Sequence, residues 1–205
     1  MYAPPETHIV SDSPMALPSF EGVQYRLANN WFPIIPLGSF QSRPIRYVEI
    51  GTFYGANLIS VAQSYALHPQ SELHAIDIWA DCPDYSEYKG KGDEIYAAFL
   101  KNVEKSEHAS KIKTHRGYSH RVMHTFEDES MDLIYIDGNH EPEYVLEDAV
   151  LSFRKLKRGG VLIFDDYGWG GPDLTQRGID AFVTGYHKRI QVLGNRDTQV
   201  FIQKK

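Results

Sequence analysis

Cysteine is nearly missing from this chain: Cys82 is the only one among 205 residues. That excludes an internal disulfide and a cysteine-based zinc cluster, and it suits a reducing compartment. Long apolar runs are missing too; none approaches the roughly 20 residues that a membrane-spanning helix requires. The opening stretch, MYAPPETHIVSDSPMAL, has neither the basic start nor the apolar centre of a secretory signal. A cytoplasmic protein with no membrane partner is therefore expected. Basic runs are absent and the formal net charge is −6, which argues against nucleic acid as a partner. The G-x-G-x-x-G turn that cradles a dinucleotide pyrophosphate occurs nowhere.

What remains is a composition of 42% hydrophobic and 23% charged residues, which suits one globular domain at this length. Proline is unevenly spread, with seven of the eleven before residue 45. Residues 1–45 therefore read as a proline-rich arm, with one short helix within 21–32. Two readings of the arm stay open: a flexible extension, or a lid or dimer arm carrying Trp31 and Phe32. From residue 46 the pattern alternates. Strands are expected at 46–50, 72–78, 111–117, 131–137 and 160–166, with helices at 55–67, 93–107, 119–126, 141–157 and 175–186. Gly159-Gly160 should stop the helix at 141–157, and 189–194 with 198–203 should form a hairpin about 195–197. The fold expected for 46–205 is α/β and doubly wound, Rossmann-like: a mostly parallel seven-stranded sheet with a C-terminal antiparallel hairpin. The hairpin and the arm are both candidate homodimer surfaces.

In such a sheet, ligands bind beyond the carboxyl ends of the strands. Four of those ends are acidic or glycine-bearing: Glu49-Ile50-Gly51, Asp77, Asp137 and Asp165-Asp166. The first turn, EIGTFYGAN, is looser than a pyrophosphate turn and suits a ligand such as the amino-acid part of S-adenosylmethionine. Asp77 follows Gly51 by 26 residues and is placed to accept from ribose hydroxyls. Asp137 and Asp165-Asp166 end two apolar strands expected to be neighbours, about 4.8 Å apart, so their carboxylates can converge. Three such acids form a hard oxygen site for Mg²⁺, Mn²⁺ or Ca²⁺. His140, on the loop after Asp137, is a candidate general base.

The stretches YVEIGTFYGANLISVA, LHAIDIW, RGYSHRVM and MDLIYIDGNHEPEYVLEDAVLSFRKLKRGGVLIFDDYGW resemble the successive motifs of class I S-adenosylmethionine-dependent methyltransferases. The likeness covers about residues 46–166 and is nearest to metal-dependent O-methyltransferases of the catechol and macrolide-sugar types. It implies a cofactor-contacting set of Glu49, Gly51, Phe53, Gly55, Asn57, Asp77, Ile78, Gly117, Tyr118, Ser119 and Asp137. Within that set Glu49, Gly51 and Gly55 surround the methionine end, Asp77 binds the ribose, and Gly117, Tyr118 and Ser119 line the adenine. Asp137, Asp165 and Asp166 fall on the family's metal ligands. Where catechol-type enzymes carry a lysine base, this chain has His140, as the sugar-type enzymes do.

The resemblance thus implies methyl transfer to a hydroxyl of a small molecule, sugar-like or another diol, with His140 removing the proton. Tyr85, Tyr88, Tyr167, Trp169 and Trp31-Phe32 are candidate walls of the acceptor pocket. Two other readings stand beside it. A nicotinamide-dependent dehydrogenase would use the same sheet and Asp77, and a non-catalytic module could bind S-adenosylmethionine without turnover.

Overall fold

The computed structural model describes residues 19–22, 27–80 and 88–205. Cys82 and Tyr85 lie outside the described residues. Seven strands form one sheet: β1 (Arg46–Ile50), β2 (Glu72–Asp77), β3 (Ile112–Arg116), β4 (Met131–Ile136), β5 (Leu156–Phe164), β6 (Ile190–Arg196) and β7 (Gln199–Lys204). Their order is β3-β2-β1-β4-β5-β7-β6. The first five run parallel, and β7 enters antiparallel between β5 and β6. The helices are α1 (Gly38–Gln41), α2 (Ala56–Ala62), α3 (Gly92–Lys105), α4 (Ser119–Met123), α5 (Pro142–Lys155) and α6 (Thr175–Tyr186).

Period-two alternation along the central strands sends successive residues to two cores. Tyr47, Leu133, Tyr135, Ile163 and Phe201 pack on one face against α2 and α3. Val48, Ile50, Ile134, Ile136, Leu162 and Phe164 pack on the other against α5 and α6. Burial on both faces is what these near-continuous apolar strands require. Pro142 begins α5, where its missing N–H costs nothing.

The expected doubly wound sheet with its C-terminal hairpin is present, with local corrections. The helix expected at 55–67 ends at Ala62. The Ser60 and Ser64 hydroxyls bond back to the carbonyls of Asn57 and Ser60 there, competing with helical pairing. Gly159-Gly160 does not stop α5; β5 has already begun at Leu156. Gly159 instead takes φ +78° where the register with β4 shifts between Met131 and Leu133, as at a glycine bulge. The hairpin turns on Asp197-Thr198, both at positive φ, the geometry that matches strand twist in a two-residue turn.

Within the arm, Leu27–Trp31 is a 3-10 turn. Ala28, Trp31, Ile35 and Phe40 join the core on the α2 side. Trp31 is fully buried between Tyr65 and Tyr135. Among the described residues no helix is long and apolar enough to cross a membrane.

Candidate active site

Strand order reverses between β1 and β4, and the acids gather at their carboxyl ends. Gly51 makes that meeting possible. It has φ +83°, its N–H donates to Ile76 O (2.9 Å), and a Cβ there would collide with the Asp137 carbonyl. The Asp137 N–H in turn donates to Ile50 O (2.9 Å), so the ends of β1 and β4 are locked together.

Asp77 organises the turn after β1. Its Oδ2 accepts the Phe53 N–H (2.8 Å) and its Oδ1 the Trp79 N–H (2.7 Å). Both donors belong to non-glycine residues at positive φ, 52° and 42°. A conformation of that kind persists only where its surroundings determine it; the carboxylate does so here. The Trp79 indole N–H closes the loop onto Phe53 O (2.9 Å). Burial raises the Asp77 carboxyl, and the backbone donors partly offset it. Ile78 is half-buried beside it.

Glu49 is almost completely buried. Tyr47 Oη donates to its Oε2 (2.5 Å) and Asn57 Nδ2 donates to the same oxygen (2.9 Å). Burial lifts the carboxyl to about 8 against the pull of these bonds, so it holds its proton at neutral pH. Across the sheet, the Gly117 N–H donates to Asp77 O (2.8 Å). Tyr118 stands exposed beside His120 and Arg121. Ser119 bonds Asp148 of α5, a buried carboxyl that burial lifts to about 7.

At the ends of β4 and β5, Asp137, His140 and Asp166 each offer a ligand atom within 4.8 Å of the others. His140 is buried, with Nε2 3.1 Å from Asp166 Oδ2 and its ring 4.4 Å from that of Trp169. The Asn139 side chain turns this loop by accepting the Glu141 N–H (2.8 Å). Asp166 sits at φ +56°, a conformation aspartate tolerates better than most residues. Burial first, then the charges of Asp165, Asp166, Glu49 and Asp77, push the Asp137 carboxyl far up.

Asp165, the third expected ligand, is held by several hydrogen bonds. Its Oδ2 accepts from Tyr135 Oη and Gln199 Nε2, and its Oδ1 from the Asp166 N–H (2.8 Å) and Thr198 Oγ1 (3.3 Å). Tyr135 of β4, Gln199 of β7, Thr198 of the hairpin turn and the adjacent Asp166 N–H all donate to it, and it lines one cavity with Asp137 and His140. The acceptor-wall candidates also divide. Trp169 covers His140, while Tyr88 packs on Phe53 and Tyr167 is tied to Asp180 (3.1 Å). Trp31 is sealed in the core and Phe32 leans on Tyr65, so neither serves as the expected wall. Tyr47, Tyr135 and Gln199 were missed by sequence reasoning. The two tyrosines carried a signal, since each precedes a strand-end acid by two residues and so shares its face.

A family model described as "Methyltransferase domain" matches residues 48–167, which hold every acid of this site. The chain belongs to the methyltransferase-domain family. Its sheet order is the Rossmann-like one expected of that family. Similar solved structures agree on the fold of this methyltransferase. They include the O-methyltransferase TomG of Streptomyces achromogenes in complex with SAM (TM-score 0.59, 19% identical, 78% of this chain and 73% of that one). A Clostridium thermocellum protein proposed as an rRNA methylase reaches TM-score 0.65 (14% identical, 89% and 97%). MycE of the mycinamycin pathway, in complex with Mg and SAH, reaches 0.55 (16% identical, 89% and 50%). A curated relative, the uncharacterized protein R132 of Acanthamoeba polyphaga mimivirus, is 27% identical over 63% of this chain. The chain spans about half that relative's length, 54%.

Proposed function

We propose that this methyltransferase moves the methyl group of S-adenosylmethionine to a hydroxyl of a small molecule, sugar-like or another diol, with a divalent cation of the Mg²⁺ class at the acceptor. One observation carries the reading: Glu49, Asp77, Asp137, Asp165 and Asp166 converge at the strand ends, where burial first and neighbouring carboxylates second raise the carboxyls of Glu49, Asp137 and Asp165, with His140 beside them. Crowded acids of this kind await cations. A cofactor with a sulfonium and an ammonium, and a hard divalent ion, both supply them.

In this reading Glu49 faces the cofactor ammonium, Asp77 takes the ribose hydroxyls on its remaining lone pairs, and Gly117 to Ser119 line the adenine. Asp137 and Asp166 would hold the cation, whose contribution when bound is to lower the pKa of the acceptor hydroxyl. His140 receives that proton on its imidazole, and Asp166, 3.1 Å from Nε2, stabilises the imidazolium. The acceptor oxygen forms its bond to the methyl carbon as the carbon–sulfur bond breaks, leaving S-adenosylhomocysteine. Holding oxygen, carbon and sulfur in line supplies much of the acceleration. Trp169 shields the base from water.

The same-fold proteins TomG, with SAM, and MycE, with Mg and SAH, support the choice of ligands. The formal net charge of −6 favours a small acceptor over nucleic acid. The test is a methyl-transfer screen of diol acceptors with and without Mg²⁺. Turnover that needs the ion is expected; equal turnover in chelator would remove the metal from the mechanism.

A further inference from the structure

Two carboxamides connect the 3-10 turn at Leu27–Trp31 to buried acids. The Ala28 N–H donates to Asn57 Oδ1 (3.0 Å), and Asn57 Nδ2 donates to Glu49 (2.9 Å). The Trp31 indole N–H donates to Gln199 Oε1 (2.9 Å), and Gln199 Nε2 reaches Tyr135 Oη (3.2 Å) and Asp165 Oδ2 (3.4 Å). A carboxamide has an accepting and a donating end, and only the donating end is favourable beside a carboxylate. A donor fixed on the oxygen prevents the flip. Trp31 and Gln199 are both fully buried, so water cannot substitute.

Asp165 passes the constraint forward. With Oδ2 held by Tyr135 and Gln199, its Oδ1 is aimed at the N–H of Asp166 (2.8 Å). That N–H belongs to a residue in the left-handed region, φ +56°, whose carboxylate joins Asp137 and His140. We propose that Trp31 and Gln199 are positioning residues of the cation site, acting through Asp165 on the backbone of Asp166. The inference rests on the metal-dependent reading above and deepens it by naming what holds Asp165 and Asp166 in place.

The test is Mn²⁺ binding to wild type, Trp31→Phe, Gln199→Met and the double variant, by calorimetry and by the paramagnetic resonance of free Mn²⁺. S-adenosylmethionine affinity is measured on the same samples. Mn²⁺ affinity should fall about three- to tenfold in each single variant, the size of one lost buried hydrogen bond. It should fall little further in the double variant, because the residues form one relay. Cofactor affinity should hold within about twofold. Asn57→Leu should do the converse, weakening the cofactor and sparing Mn²⁺. If Trp31→Phe fails to fold, Tyr135→Phe replaces it in the same relay.

Unchanged Mn²⁺ affinity in folded variants overturns the inference and leaves the metal reading intact. Tighter binding also overturns it, by making Asp165 a ligand that the relay holds back. A parallel loss of cofactor affinity overturns it as general loosening. A wild type that binds no Mn²⁺ overturns the metal reading and the inference together.

Discussion

Replacing Glu49 by Gln should make the protein more stable at high pH and change little at low pH. Glu49 is 1% exposed, and burial lifts its carboxyl from 4.5 to about 8. The folded state therefore keeps a proton that the unfolded chain releases above about pH 4.5. Stability from this group is fully present below that pH and is lost as pH rises through about 8. The separation between the two values corresponds to about 5 kcal/mol at most, accumulated at about 1.4 kcal/mol per pH unit. Gln has no proton to lose, so the variant should lack this component of the slope. Asp148 is also raised, but it contributes to both proteins and cancels in the difference; Asp137 and Asp77 interact with the Glu49 charge and shift with it, adding to the difference in slope. Urea unfolding of both at pH 5, 7 and 9 measures it. Curves that stay parallel across that range would refute the reasoning, because Glu49 would then ionise as an exposed acid does. The same proton bears on function. If the cofactor ammonium settles beside Glu49, binding near pH 7 should expel about 0.9 proton. Calorimetry in buffers of different ionisation enthalpy reads that release, and Glu49→Gln should abolish it.

Three further outcomes follow from the site. Gly51→Ala places a methyl against the Asp137 carbonyl at φ +83°; a loss of at least about 2 kcal/mol of stability is expected in chemical denaturation. Asp77→Asn leaves the Phe53 or Trp79 N–H facing an amide N–H. That should cost about 1–3 kcal/mol of stability and weaken S-adenosylmethionine in a direct titration; unchanged affinity would remove Asp77 from the cofactor site. His140→Ala should fold normally and bind cofactor, yet lose about 10²- to 10⁴-fold in turnover. A loss under tenfold would show that the base is elsewhere.

Much of this was legible in the sequence because strand ends announce themselves. Apolar runs closing in Glu49, Asp77, Asp137 and Asp165 placed the acids on one edge of a parallel sheet, and β4 and β5 are the neighbours expected. What stayed hidden depends on long-range pairing. Gln199 meets Trp31 across 168 positions and Asp165 across 34. No local pattern showed that β7 would enter beside β5 and bring Gln199 onto Asp165. Trp31 was misplaced for a related reason: proline density marks irregular backbone, and irregular backbone can still be buried. The Gly159-Gly160 pair was ambiguous in principle, since glycine at positive φ ends helices and makes bulges alike.

The most direct test of the central claim is a calorimetric titration of S-adenosylmethionine with and without Mg²⁺, followed by a vicinal-diol acceptor. The account predicts cofactor binding in both conditions, acceptor binding only with the ion, and loss of that acceptor binding in Asp137→Ala. A folded protein that takes up no S-adenosylmethionine, or an acceptor that binds equally well in chelator, would contradict it.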